Sequence, residues 1–284
     1  MAVGNLKYAR PSDIITSQLT WSVVAGNISS DPEYGLAALY DGKMSKPLKF
    51  IDEPVAAIRI VGDAGSARRF DAMALPNSNI PAGTVMRAEL NATNVWTAPT
   101  VSVNVTMGAA GLDGHVASPW ADFTSATGYS PSGFRYCSWF IPVISVQPWL
   151  GELLVMSNLR QFSQWPQFGG TRGTMRPFLE NLMTEYGVLR VVKRLIKQRQ
   201  FEFQLKGNEQ DFTDLQLLAD DSGGMAVPFF MVADSLIKTD GGLYGRFTPE
   251  TAAMIVGVEE WYDLNNLTIA FKEDSRSLPL FGFN

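Results

Sequence analysis

The one histidine, His115, stands in GLDGHVASP, and the one cysteine, Cys137, in FRYCSWF. A Ser-His-Asp or Cys-His hydrolase routes its proton transfers through a histidine held beside the nucleophile, so any such mechanism in this chain must use His115. Nothing around it supports that use. There is no G-x-S-x-G elbow, and GYSPSG at 128–133 has the wrong spacing. His115 reads as a surface or structural residue. One Cys and one His cannot complete a transition-metal site. No segment carries the spaced oxygen ligands of a calcium loop, so Asp63 and Asp220–Asp221 could hold calcium only with partners distant in sequence. No G-x-x-x-x-G-K-[ST] is present, and GGTRG and DGGLYG read as turns. Glu259–Glu260 beside Trp261 look like an acid pair near a sugar platform, but adjacent strand residues point to opposite faces, which favours a solvated edge. No catalysis, no cofactor and no metal are expected.

Two other groupings could bind. Trp96, Trp120 and Trp139, with Trp149, fall in one stretch, where exposed indoles would stack on a sugar and buried ones would fill a β core. Arg190, Lys193, Arg194, Lys197 and Arg199 put five cations within ten residues with no acid among them, just ahead of Phe201 and Phe203. A strand would divide these cations between two faces, giving either a solvated ribbon or a surface that meets a carboxylate-rich neighbour.

The elements that must position these residues are mostly strands. A chain of 284 residues with 46% hydrophobic content can bury a large core. Its net charge of −5 gives no general attraction to phosphate backbones, so no nucleic-acid partner is expected. No window approaches the apolar length of a membrane helix, so no membrane insertion is expected either. From Leu19 to Asn158 the chain runs through LTWSVV, VAAIRIVG, FDAMALP, TVMRAEL, VSVNV and FRYCSWFIPV, short β patterns broken by Gly, Pro, Asn and Ser. A short helix is expected in EYGLAALYDG. GELLVMSNLRQF reads as a returning strand, and the polar, Gly-rich stretch that follows places a boundary near Asn158–Arg160. Beyond it, GVLRVVKRLIKQRQFEFQLKG reads as two neighbouring strands, NEQDFTDLQLLADD as one helix, and AVPFFMVAD, LYGRFT and LTIAFKED as strands. In LTIAFK the bulky residues alternate, as a strand closing a core requires.

The run LTWSVVAGNISSDPEYGLAALYDGKMSKPLKF, followed by AAIRIVGDAGSARRFDAMALPNSNIPAGTVMRAEL, resembles the galactose-binding-like jelly roll of tailed-bacteriophage structural proteins, with the YDG turn at Tyr40–Asp41–Gly42. The ribbon, DFTDLQLLADD, AVPFFMV, the Gly245–Phe247 turn and LTIAFKED are similar to the split-barrel unit of distal tail and minor tail proteins. The stretch from Ala98 to Ser132 departs from that pattern. The resemblance implies a mainly β fold: a jelly-roll β-sandwich over residues 1–159 and a small β-barrel-like oligomerisation domain with one helix over 160–284. It further implies a virion tail or baseplate component, assembled in the host cytoplasm as a homo-oligomeric ring between the tail tube and baseplate hub proteins. Ribbon residues 190–203 would lie at the subunit interface. The rival reading is a carbohydrate-binding module touching host glycan through Trp96, Trp120 or Trp139.

Overall fold

The computed structural model describes residues 6–29, 31–41, 46–51, 57–109, 118–163, 172–183, 189–205, 209–224, 226–232, 236, 238–239, 241–257 and 267–273, with the backbone alone over 172–183 and nearly all of 189–205. The fold is mainly β. Its strands are β1 (Lys7–Ala9), β2 (Thr20–Ala25), β3 (Leu48–Lys49), β4 (Ile58–Arg68), β5 (Ala72–Ala74), β6 (Val85–Asn91), β7 (Val101–Thr106), β8 (Trp120–Asp122), β9 (Phe134–Ile141), β10 (Trp149–Leu150), β11 (Leu154–Met156), β12 (Arg160–Gln161), β13 (Arg172–Met183), β14 (Leu189–Leu205), β15 (Phe229–Val232), β16 (Gly242–Phe247) and β17 (Leu267–Glu273). Helices α1 (Glu209–Asp221) and α2 (Pro249–Gly257) lie between the late strands.

The strands form a five-stranded sheet β2-β4-β9-β6-β7, a three-stranded sheet β11-β5-β8, a seven-stranded sheet β12-β1-β15-β16-β17-β14-β13 and the small pair β10-β3. Side-chain alternation stacks them in layers. Ile58, Ile60, Ala88, Leu90, Cys137, Trp139 and Ile141 of the five-stranded sheet meet Met73, Ala121 and Val155 of the three-stranded sheet in one core. The opposite face of that small sheet, through Ala72, Ala74, Trp120, Leu154 and Met156, packs on Ala9, Phe230, Val232 and Tyr244 of the seven-stranded sheet. Tyr8, Phe229, Met231, Ile269 and Phe271 point the other way and are covered by Leu215, Leu218, Ala252 and Ile255 of the two helices. Strands covered on both faces cannot alternate apolar with polar, which is why AMA of β5 and FFMV of β15 are apolar throughout.

Several expectations are corrected. EYGLAALYDG forms two 3-10 turns, Pro32–Tyr34 and Leu36–Leu39, with Gly35 between them, in place of one helix; Asp31 accepts the Glu33 N–H at the first. The ribbon sequence is one strand, β14, and its neighbour is β13. No Gly or Pro interrupts Leu189–Leu205, so nothing in that stretch turns the chain. GELLVMSNLRQF contributes to two sheets, β11 to the small one and β12 to the large one. A second helix, α2, follows Thr248, whose Oγ1 lies 3.4 Å from the Thr251 N–H, with Pro249 at the first helical position. The division at residue 159 leaves β1 on the far side: Lys7, Tyr8 and Ala9 pair with Val232, Met231 and Phe230.

Candidate functional site

The outer face of the five-stranded sheet gathers charge and aromatic surface in one place. Phe140 on the central strand β9 sits opposite Arg59 on β4 and opposite Arg87 on β6, so the three form a row across adjacent strands. Ser138 and Glu89 are paired in the neighbouring row. Period-two alternation puts all five on the face away from the core. The Arg59 guanidinium lies 4.9 Å from the Phe140 ring centroid, and that of Arg87 lies 4.2 Å from it, on a ring that is half-buried. Glu89 is fully buried and holds Arg59 Nη1 through Oε2. Arg59 also donates to Ser138 Oγ at 3.0 Å. A buried carboxylate is tolerable because it is paired and hydrogen-bonded. Its second oxygen, Oε1, stands 3.3 Å from Arg87 Nε and makes no hydrogen bond.

The β6–β7 loop folds over this row. Asn91 organises the loop: its Nδ2 donates to the Val95 carbonyl at 2.5 Å, and its Oδ1 accepts from Thr100 Oγ1 at 2.9 Å. The loop carries Trp96, half-buried, with its ring centroid 5.1 Å from the Arg59 guanidinium and its indole N–H donating to Asn94 Oδ1 at 2.7 Å. The arrangement offers an aromatic platform and a half-exposed guanidinium of the kind that meet sugars or planar anions.

The three candidate tryptophans therefore divide. Trp96 is the one with an accessible ring. Trp120 and Trp139 are fully buried, Trp120 between the small and large sheets and Trp139 in the sandwich core, so neither offers a face to glycan. Cys137 is also buried, and burial pushes its thiol up to about 12. Asp63 accepts both Arg135 Nε, at 2.7 Å, and Nη2, at 2.8 Å, and Asp221 accepts Ser12 Oγ. No cluster of three or more His, Cys, Asp or Glu is close enough to hold a metal among the described residues. His115 and Glu259–Glu260 lie outside the described residues.

The ribbon residues divide as well. Phe201 and Phe203 occupy register positions inside the large sheet, opposite Phe271 and Ile269 of β17. Pairing of β14 with β17 covers Gln200 to Leu205, so Arg190, Lys193, Arg194, Lys197 and Arg199 all lie on the length paired with β13 alone. A further feature escaped sequence reading, a groove of about 660 Å³ lined by Trp21, Val23, Ile28, Leu36 and Ile51. Its residues come from segments whose meeting depends on the loops between them.

No family model matches the chain, and no curated protein matches it in sequence. Among solved structures, a Ruminococcus gnavus GH29 fucosidase in complex with fucose matches 52% of this chain at 13% identity and a TM-score of 0.38, and the match spans 27% of the fucosidase. Chitosan-binding module 1 of a Paenibacillus sp. IK-5 chitosanase/glucanase matches over 49% of this chain and 94% of its own, at 15% identity and a TM-score of 0.35. CpGH89CBM32-5 from Clostridium perfringens, in complex with GalNAc-β-1,3-galactose, matches over 49% and 96%, at 14% identity and a TM-score of 0.34. At these values the mainly β class rests on the strands and pairings themselves.

Proposed function

We propose that this chain is a non-catalytic structural protein of a phage tail tip or baseplate, assembling as a homo-oligomeric ring between the tail tube and distal tail proteins. The observation that supports it is the β13–β14 ribbon. β13 ends the seven-stranded sheet with no strand on its outer side among the described residues, and the ribbon continues past the last β17 pairing. A strand of 12 residues with an open edge is a template for pairing with another chain, and a ring closes when each copy offers that edge to a different surface of the next. The cations lie on β14, along the length that β17 does not flank, and would supply partner selection in the assembly. Native mass spectrometry of the full chain should show one closed multiple of the monomer. Reversing Lys193, Arg194 and Lys197 together to Glu should return it to monomer. A monomer at every concentration, with and without tail-tube protein, would overturn the proposal.

The second reading, a carbohydrate-binding module, is favoured by the Trp96–Arg59–Phe140–Arg87 row. Trp96→Ala is its test on a glycan array, because the other two candidate indoles are core residues. Signal from the parent chain that Trp96→Ala abolishes supports this reading, and silence of the parent chain on a broad array removes it.

A further inference from the structure

We infer that the row beneath the β6–β7 loop selects a saccharide that carries an anionic oxygen group, a carboxylate or a phosphate ester, with Trp96 stacking on the ring and Arg87 pairing with the anion. The inference rests on the glycan-binding reading and specifies its ligand class.

Three observations carry it. The first is charge. Two guanidinium groups, Arg59 and Arg87, face one carboxylate, Glu89, which leaves one positive charge on this patch in a chain whose net charge is −5. The second is the division of labour between the two arginines. Arg59 is buried and committed to Glu89 and Ser138, so its role is to hold the floor of the site. The Arg87 side chain is 38% exposed and makes no hydrogen bond among the described residues; Phe140 and the Glu89 charge hold it in place. A ligand anion can take its N–H groups without displacing a hydrogen bond already made, and a guanidinium fork fits a two-oxygen anion. The third is Glu89 Oε1, fully buried and without a hydrogen bond, directly behind Arg87. A buried acceptor left unmade is costly, and a ligand that fixes Arg87 against it removes part of that cost.

Titration calorimetry on the full chain with three probes tests this: a galacturonic acid oligomer, glucose 6-phosphate and a neutral maltooligosaccharide. Binding of one anionic probe and not of the neutral one is expected, and the probe that binds identifies the anion. Arg87→Gln and Trp96→Ala should each weaken it by about tenfold or more, with far-ultraviolet circular dichroism unchanged, and added salt should weaken binding to the parent chain. Neutral and anionic probes bound equally, with Trp96→Ala still weakening both, would overturn the charge selection and leave the glycan reading standing. No binding of any probe at millimolar concentration would remove both. Anionic binding unchanged in Arg87→Gln and Trp96→Ala would overturn the site.

Discussion

At the scale of the residue, burial decides what each distinctive side chain can do. Cys137 lies in the sandwich core with its thiol pushed far up by burial. A disulfide reagent at pH 8 should leave it untouched in the native chain and titrate it on unfolding in urea; native labelling within minutes would contradict the core. Gly62 on β4 is there for want of space, since a Cβ would come within 3.0 Å of Cys137 Sγ, Leu19 Cδ1 and the Trp21 ring. Gly62→Ala should cost about 1–3 kcal/mol by overpacking, read as a lower midpoint in chemical denaturation. Of the residues that matter, Trp139 was read as either a glycan contact or a core indole, and FRYCSWFI, with aromatic residues on both faces, did not decide between them. The Arg59–Glu89 pair was not legible, because it joins residues 30 apart whose strands are both neighbours of β9 without being neighbours of each other. Nothing in either strand's own sequence announces that meeting.

At the scale of the element, side chains fasten the helices to the sheet. Asp211 in the first turn of α1 is buried, and its carboxylate accepts the Ser163 N–H at 2.8 Å and the Ser163 hydroxyl. Asp211→Ala should destabilise the native state by about 2–3 kcal/mol, as loss of hydrogen bonds to a charged acceptor does, and it should raise exchange of the Ser163 amide. Thr251 on α2 uses its hydroxyl to accept the Ala270 N–H at 2.9 Å, tying the helix to the closing strand. Thr251→Val keeps the shape and orphans that donor, at a cost of about 1–3 kcal/mol. The strands of the sandwich and α1 could be read from alternation, periodicity and turn residues. α2 could have been read from Thr248–Pro249–Glu250, a cap followed by a helix start, but its apolar AAMIV has no polar face to reveal the period. The partner of β14 was hidden because Gly173 and Pro177 of β13 look like loop residues; Pro177 sits at the register shift on an edge strand, a place where proline is tolerated.

At the scale of the whole molecule, the contact between small and large sheets binds the two halves of the chain and carries a pH signature. Lys7 Nζ donates to Asp122 Oδ2 at 2.7 Å, and Lys238 Nζ stands 3.8 Å from the same oxygen and 3.3 Å from the Trp120 ring centroid. Burial works to raise the Asp122 carboxyl, but hydrogen bonds from Lys7 and Thr124 outweigh it and hold the group below its ordinary range. A carboxyl depressed on folding gives stability that is present above its unfolded value and is lost as pH falls through the folded one. Asp122→Asn should therefore lower stability by about 2 kcal/mol near neutrality and flatten the acid limb of the denaturation profile. Lys238 acts at the other end. Burial pushes it down to about 8 against the pull of Asp122, so the unfolded chain takes up the proton more readily between that value and 10.5, and stability should rise with pH across that window. The mainly β class was legible across the chain, while the course of β1 was not: KYA is too short for a pattern, and its partner lies at Phe230–Val232.

That placement sets the timetable of biosynthesis. The ribosome delivers Lys7–Ala9 well before β12 and β15, yet the slot between those two strands exists only after both have left the exit tunnel. β1 must stay uncommitted while the sandwich that follows it condenses. A bulky insertion placed beside β1 therefore burdens the step that completes the large sheet far more than one in a sandwich loop would.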